Sequence, residues 1–408
     1  MPAFDPMRTS RRYRRTGAGR FARGTRAARD GINTLEAVLE SNNARPTVAI
    51  IGAGIGGVYL VAMLGLIGCK VRLHDIDDSR LKDLREAKGI QVEGPNGGFA
   101  PLDMATTDLK ASTDGADIVI IVTGGNFQEK VAQSLAPLLR DGQIILLVQG
   151  NTCGSLIVRR ALDKAGCKAM VDIAEMDNYP MSAWRRAPAR IEPIVTKRGL
   201  QIATFPGNRI DAVFPRLAPL FPTAVSAKNV VYTGFVNANA MLHVANCVGN
   251  AGLIDRGGNY KFYAEGVTPM IGRLYEAINA ERIAVADKLG AKVPDLAAWF
   301  ELTYGVREKT LPETCRKLTF NSDGPYQATG TPKSFDHKYV SEDVPAGLIP
   351  MSAIGKAVEV PTPSIDAVIA IARIMAGSDF AANARTLDRL GLAGKNAEQI
   401  KHVMQDGF

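Results

Sequence analysis

Residues 47–57 read TVAIIGAGIGG. Thr47 to Ile51 is rich in Val and Ile, as in a buried strand, and an apolar helix-like run, VYLVAMLGLIG, follows at once. Gly52, Gly54 and Gly57 are spaced G-x-G-x-x-G. In that context each glycine has a physical task. The first allows a tight turn, the second lets backbone approach a pyrophosphate, and the third lets helix and strand pack closely. The helix start presents free N–H groups and the positive end of its dipole to the phosphates. A second strand-like run, KVRLHDID, reaches Asp75 about 20 residues on, where an acid that accepts hydrogen bonds from a ribose 2′-OH is expected. This βαβ pattern predicts a dinucleotide cofactor held by Gly52, Gly54, Ile55, Gly57 and Asp75. Asp75 and Asp77 favour NAD, since they repel a 2′-phosphate; Arg80 is the one nearby group that argues for NADP.

Beyond Asp75, strand-like and helix-like runs alternate. ADIVIIVTG (116–124), QIILLVQGN (143–151) and AMVDIAEM (169–176) are apolar runs of strand length, separated by amphipathic segments. Buried strands without alternation predict an α/β Rossmann domain with a doubly wound, mainly parallel sheet covered on both faces. Ligands bind such sheets beyond the carboxyl ends of the strands. Thr123-Gly124-Gly125 and Gln149-Gly150-Asn151 sit there, which makes Thr123 a candidate cofactor contact. Between about 188 and 229, RIEPIVTKR, LQIATFP and AVSAKNVVYTG are expected to extend or flank the sheet. From about 235 the chain reads as helical. Thr268-Pro269 is a helix start, Met270, Ile271, Leu274 and Ile278 line one face, and Gly290 ends the run. The expected division is a Rossmann domain over 46–229 and an all-α domain over 230–408.

The net charge of +8 is concentrated in residues 1–45, where ten arginines face four acids and carry +6 of it. That tail is expected to be disordered, with an organelle transit peptide as the alternative. A nearly neutral body argues against a nucleic-acid partner. No apolar run reaches the roughly 18 residues that span a bilayer. Five scattered cysteines without a C-x-x-C and four unpaired histidines predict a reduced, cytoplasmic protein with no metal site.

The stretch NANAMLHVANCVGNAG (237–252) carries the chemistry. Read as a helix, it places Asn239, His243, Asn246 and Asn250 on one face. Such a polar stripe is costly to bury unless it is hydrogen-bonded. Hydride transfer to C=O or C=N needs a proton donor beside the heteroatom, and His243 is the natural one near neutral pH. A carboxylate is needed to fix its tautomer. The loop YVSEDVPAGLIP (339–350) offers Glu342 and Asp343, although residue chemistry alone does not choose it over other acids.

These runs, together with F-Y-x-E-G-x-T-P (262–269), E-R (281–282), Y-x-x-E-D-V-P-x-G-L (339–348) and V-P-T-P (360–363), resemble the opine dehydrogenases in order and spacing. These are octopine/nopaline-type NAD(P)-dependent enzymes. The resemblance covers nearly all of 46 to about 377. It implies His243 as the catalytic acid/base, Asp343 as its partner, and Asn239 as a residue holding substrate or nicotinamide. It also implies that Glu175, in AEMDNYPMSAWR, binds substrate near the cleft, with Arg185 in place of the family's following arginine. The family commonly has arginine five residues before the dyad aspartate; here it is Lys338, which keeps the charge but loses the bidentate grip on a carboxylate. The expected reaction is reductive condensation of a 2-oxo acid with an amino acid, both small molecules, in a chain compatible with a homodimer. The alternatives are a ketopantoate- or glycerol-3-phosphate-type dehydrogenase acting on a simple carbonyl, and a catalytically silent NAD-binding regulator.

Overall fold

The computed structural model describes residues 45–95, 97–320 and 329–408, with the side chains of Thr319 and Phe320 left aside. The arginine-rich tail lies outside the described residues. In chain order the strands are β1 (Thr47–Ile51), β2 (Lys70–His74), β3 (Gly89–Val92), β4 (Gly98–Pro101), β5 (Met104–Thr106), β6 (Ile118–Ile121), β7 (Ile144–Val148), β8 (Asp172–Met176), β9 (Met181–Ala187), β10 (Arg190–Thr196), β11 (Leu200–Phe205) and β12 (Ala224–Ser226). Eight of them form one sheet in the order β12-β11-β8-β7-β6-β1-β2-β5. From β5 to β8 every pairing is parallel, while β11 is antiparallel to β8.

The alternation of side chains along each strand makes this sheet two-faced. Val48 and Ile50 of β1, with Ile118 and Ile120 of β6, enter one apolar core. Ala49 and Ile51, with Val119 and Ile121, enter another on the opposite face. Helices Ile55–Leu66, Gln128–Leu135 and Gly154–Lys164 connect the strands. The chain leaves β1 toward β2 on one side, and β6 toward β7 on the other. The crevice therefore opens at the carboxyl ends of β1 and β6, the topological switch point.

Residues 188–229 depart from the expectation. β9 and β10 do not extend the main sheet; they join β3 and β4 in a separate four-stranded sheet, order β4-β3-β10-β9. Most residues of β9 and β10 are exposed or half-exposed, as suits an antiparallel hairpin needing cover on one face only. That cover is the first Rossmann helix, whose Tyr59 hydroxyl donates to the Ala183 carbonyl. Only β11 and β12 extend the main sheet, and the end of AVSAKNVVYTG turns into helix Val230–Val236.

After β12 the described residues contain only helices and their connections. The Thr268 hydroxyl accepts from Ile271 N–H, Pro269 takes the first position, and Gly290 follows the end of Pro269–Lys288 at φ +81°. The buried face is offset from the expected one, since Ile271, Tyr275 and Ile278 are enclosed while Met270 is 71% exposed. Tyr275 explains the offset, because its hydroxyl donates to Leu242 O at 2.7 Å and locks this helix to Ala238–Gly249. Two quoted motifs prove structural. Both oxygens of Glu281 accept from the Ser364 and Ile365 N–H groups at 2.7 and 2.9 Å, capping helix Pro363–Ala376. Arg282 reaches the carbonyls of Phe235 and Pro294. One apolar core runs from these helices onto Leu156, Ile157, Ala203 and Phe205 of the Rossmann half.

A Cβ added at Gly57 would lie 1.8 Å from the Gly52 carbonyl oxygen. Gly57→Ala is expected to lower stability by about 1–3 kcal/mol, read from the urea midpoint. An unchanged midpoint would mean that turn and helix are not in contact.

Candidate active site

The glycine turn is built as the spacing requires. Gly52 adopts φ +119° and donates to His74 O at 2.8 Å, joining the end of β1 to β2. A Cβ at Gly54 would meet nothing within 4 Å, so backbone there is open to a ligand. Helix Ile55–Leu66 begins at Gly54 with no side-chain cap and no acid in its first turn, which suits an anion. Asp75, 7% exposed, accepts from Ala53 N–H at 2.7 Å and Asp77 N–H at 3.0 Å. Arg80 lies 3.8 Å from Asp75 and 3.3 Å from Asp77. Thr123 closes the other wall, with a buried hydroxyl that has no hydrogen-bond partner. An open glycine, an uncapped helix start and an acid at the end of β2 fit a dinucleotide.

The polar stripe on helix Ala238–Gly249 resolves into separate tasks. His243 Nδ1 lies 2.7 Å from Asp343 Oδ2, and its Nε2 lies 2.8 Å from the Tyr263 hydroxyl. A carboxylate can only accept, so Nδ1 carries the proton and Nε2 of the neutral ring accepts from Tyr263. Tyr339 stacks on the imidazole with centroids 3.9 Å apart and planes at 22°. Asn239 donates to Gln149 Oε1 at 3.2 Å, at the carboxyl end of β7. Asn246 and Asn250 instead donate to the carbonyls of Phe262 and Gly266, pinning the loop that carries Tyr263.

The segment expected as a loop is instead helical: Lys338–Ser341 leads through Glu342 and Asp343 into a π-helical stretch, Val344–Leu348, that continues into helix Ile349–Ala357 and joins the His243 helix to the crevice. Glu342 accepts from Gly125 N–H at 2.9 Å and Asn151 Nδ2 at 3.2 Å, binding the turns that follow β6 and β7. Arg385, 2% exposed, donates to the carbonyls of Gly150 and Thr152 and to Gln128 Oε1, each at 2.8 Å. Burial pulls this guanidinium down to about 10, which still leaves it charged at neutral pH.

One expectation needs correction. Glu175 has no exposed surface, and its oxygens accept from the Thr233 hydroxyl at 2.6 Å and Ser155 N–H at 2.9 Å. It lies beneath the Gln149-Gly150-Asn151 turn, out of reach of a substrate, and burial raises its pKa. Arg185, on exposed β9, is turned onto the Pro188 carbonyl. Lys338 is exposed at the first position of helix Lys338–Ser341, one residue before Tyr339. Among the described residues, no group of three or more His, Cys, Asp or Glu is placed to hold a metal ion. Likewise, no described helix is long and apolar enough to cross a membrane.

Residues 226–376 match the model of the NAD/NADP octopine/nopaline dehydrogenase α-helical domain. Residues 48–164 match that of ketopantoate reductase PanE/ApbA, which is confined to the Rossmann half. An opine dehydrogenase of Arthrobacter sp. (strain 1C) is 32% identical over 360 residues, covering 88% of this chain and 99% of that protein. The chain belongs to the opine dehydrogenase family. It is an NAD(P)-dependent oxidoreductase of the class that acts on CH–NH bonds. The protein ocs of Agrobacterium tumefaciens (strain Ach5) is 25% identical over 88% of this chain and 98% of its own length. An octopine dehydrogenase solved with NADH and L-arginine shares the fold, with TM-score 0.69 and 19% identity over 88% of this chain and 98% of that one.

Several residues around the site escaped sequence reasoning. Tyr263 and Tyr339 lie within quoted motifs, yet only the fold brings them onto the imidazole. Arg385, in the connection between helices Pro363–Ala376 and Leu387–Leu390, carries no local signal at all. Tyr179 was likewise missed; its ring edge occupies the space a Cβ on Gly56 would need. Burial and the nearby Glu342 and Asp343 push its phenol pKa up, so the hydroxyl stays a donor.

Asp177, just past β8, is pushed up to about 7 by burial, against the lowering effects of Gln201 N–H and Lys197. In the unfolded chain an aspartate ionises near about 3.9, so the folded state binds more protons between these values. Stability is therefore lost as pH rises through that window. Asp177→Asn should gain stability relative to the parent as pH rises from about 4 to about 7, read from urea midpoints. A difference independent of pH would contradict this burial effect.

Proposed function

We propose that this enzyme joins a 2-oxo acid to the amino group of an amino acid and reduces the resulting imine to an N-(1-carboxyalkyl) amino acid. The observation that carries this reading is His243. Its Nδ1 is held by Asp343, and its Nε2 is directed to Tyr263 on the helix face that also reaches the β7 turn through Asn239. Neutral Nε2 takes a proton from the incoming ammonium, freeing the amine to attack the carbonyl carbon. The C–N bond forms as the C=O π bond breaks, one N–H proton passes to that oxygen to give a carbinolamine, and the imidazolium then protonates the hydroxyl, which leaves as water from the iminium carbon. Asp343 stabilises the imidazolium in between. Tyr263, the donor to neutral Nε2, becomes an acceptor when the ring is charged, and so supports either form. Asn239 positions the reacting end, and Lys338 supplies positive charge for a substrate carboxylate.

Gly52, Gly54 and Ile55 would hold the pyrophosphate of the dinucleotide, Gly57 would keep the helix close against that turn, and Thr123 would line the far wall. When bound, the nicotinamide supplies the hydride that reduces the C=N carbon. Asp75 directs preference to NAD, while Arg80, paired to both Asp75 and Asp77, is the group that would otherwise meet a 2′-phosphate. The cytoplasm is the compartment this reading favours, supported by the free thiols of Cys69, Cys153, Cys167 and Cys247.

NADH oxidation with a 2-oxo acid is expected to depend on an added amino acid; oxidation without any amine would replace condensation by simple carbonyl reduction. His243→Ala should lower turnover at least about 10²-fold while NADH still binds, as followed by its fluorescence. Full turnover in that variant removes the acid/base role. Initial rates should be higher with NADH than with NADPH, and the reverse order would show that Asp75 does not select the cofactor.

A further inference from the structure

Beyond the carboxyl end of β7, side-chain amides form a relay that starts on a carboxylate and ends beside the dyad. Glu342 Oε1 accepts from Gly125 N–H at 2.9 Å and from Asn151 Nδ2 at 3.2 Å. Gln149 Nε2 donates to Asn151 Oδ1 at 2.9 Å and to Asn237 Oδ1 at 3.3 Å, so both of its N–H groups are taken. Its Oε1 accepts from Asn239 Nδ2 at 3.2 Å. Gln149, Asn151 and Asn237 are all buried. The main chain of Gln149 is pinned as well, since its carbonyl accepts from Gln128 Nε2 at 2.9 Å. A Cβ on Gly125 would lie 2.4 Å from Asn151 Nδ2, so glycine leaves the room that the first link needs.

The direction of each amide follows from this anchor. A carboxylate offers acceptors only, so Asn151 turns its nitrogen to Glu342 and its oxygen to Gln149. Gln149 must then turn its nitrogen to Asn151 and its oxygen to Asn239. Reversing a link would set two donors or two acceptors face to face in a buried place, which is costly. Asn239 therefore spends its nitrogen on Gln149 and keeps its oxygen free. Among the described residues nothing donates to Asn239 Oδ1. Asn239 is half-buried, borders the same open space as Tyr263 and lies one helical turn before His243.

We infer that Gln149 is a positioning residue for the condensation: held by Asn151 and Glu342, it presents Asn239 Oδ1 as the acceptor for one N–H of the substrate ammonium, leaving another N–H for His243 Nε2. The inference rests on the reaction proposed above. Gln149 acts through Asn239 and not on the substrate itself. An amide oxygen turned to the site selects a donor, whereas the amide nitrogen in its place would repel one.

The test uses the whole enzyme with NADH, pyruvate and each standard L-amino acid, and the variants are read with the amino acid that the parent uses best. Gln149→Met keeps the length of the side chain but removes its N–H and C=O groups. It should raise the KM for the amino acid at least about tenfold, the worth of a hydrogen bond to a charged group, while the KM for pyruvate and the Kd for NADH stay within about twofold of the parent. Asn239→Leu should do the same. The double variant should be no worse than Asn239→Leu alone, because Gln149 works only through Asn239. Additive losses, or equal losses in all of these constants, would overturn the inference, since a merely structural role predicts them. A raised Kd for NADH with an unchanged amino-acid KM would also overturn it, because Asn239 would then serve the nicotinamide. In the parent itself, NMR should show the Asn239 side-chain N–H groups exchanging with solvent at least about tenfold more slowly than those of exposed asparagines. Equally fast exchange would overturn the inference even where Gln149→Met does not fold. If no amino acid supported NADH oxidation by the parent although NADH bound, condensation itself would fall, and this inference with it.

Discussion

Two neighbouring carboxylates, Glu342 and Asp343, hold the working end of this enzyme together. Glu342 accepts from Gly125 and Asn151, at the turns after β6 and β7. Asp343 accepts from His243 on a helix of the other half. One helical turn, leading into the π-helical stretch Val344–Leu348, thus ties the crevice of the sheet to the imidazole. The residues that follow are equally committed. Thr152 N–H donates to Ala346 O at 3.1 Å, and Arg385 N–H donates to Pro345 O at 3.0 Å. Gly347 leaves no room for a side chain, since a Cβ there would lie 2.5 Å from that of Ala240. Backbone, carboxylates and a buried guanidinium together fix where the dyad sits relative to the strand ends.

The helix that presents His243 shows how a costly polar stripe is made affordable. Asn239 reaches the sheet, His243 reaches Asp343, and Asn246 and Asn250 reach the carbonyls of Phe262 and Gly266. Each polar group has a partner on a different segment. The two distal asparagines shape the site without touching it, because they set the loop from which Tyr263 meets Nε2. Stacking by Tyr339 covers one face of the ring, leaving the nitrogens as its chemical ends.

What was legible in the chain follows from how local each signal is. The glycine turn, Asp75 and the buried strands rest on periodicity and short spacings, and they fold as read. The second sheet was not legible, because β3 and β4 are four residues each and carry no distinctive pattern. β9 and β10 look like any edge hairpin until their cover is known. His243 stood out as a histidine in a polar stripe, but its acid could be named only by family resemblance. Glu175 was misplaced because a motif records neighbours in sequence, whereas burial decides whether a carboxylate can meet a substrate. Arg385, more than 200 residues from the turns it binds, illustrates the part that only the fold reveals.

The most direct test of the account is the protonation state of one ring. Heteronuclear NMR of the ¹⁵N-histidine-labelled protein at neutral pH reports which nitrogen of His243 bears the proton. The account predicts the Nδ1–H tautomer, with a low-field proton shared with Asp343 and an unprotonated Nε2 facing Tyr263. A neutral ring protonated at Nε2 would contradict it, because the carboxylate would then not be orienting the imidazole and the nitrogen toward the crevice could not take a proton from an amine.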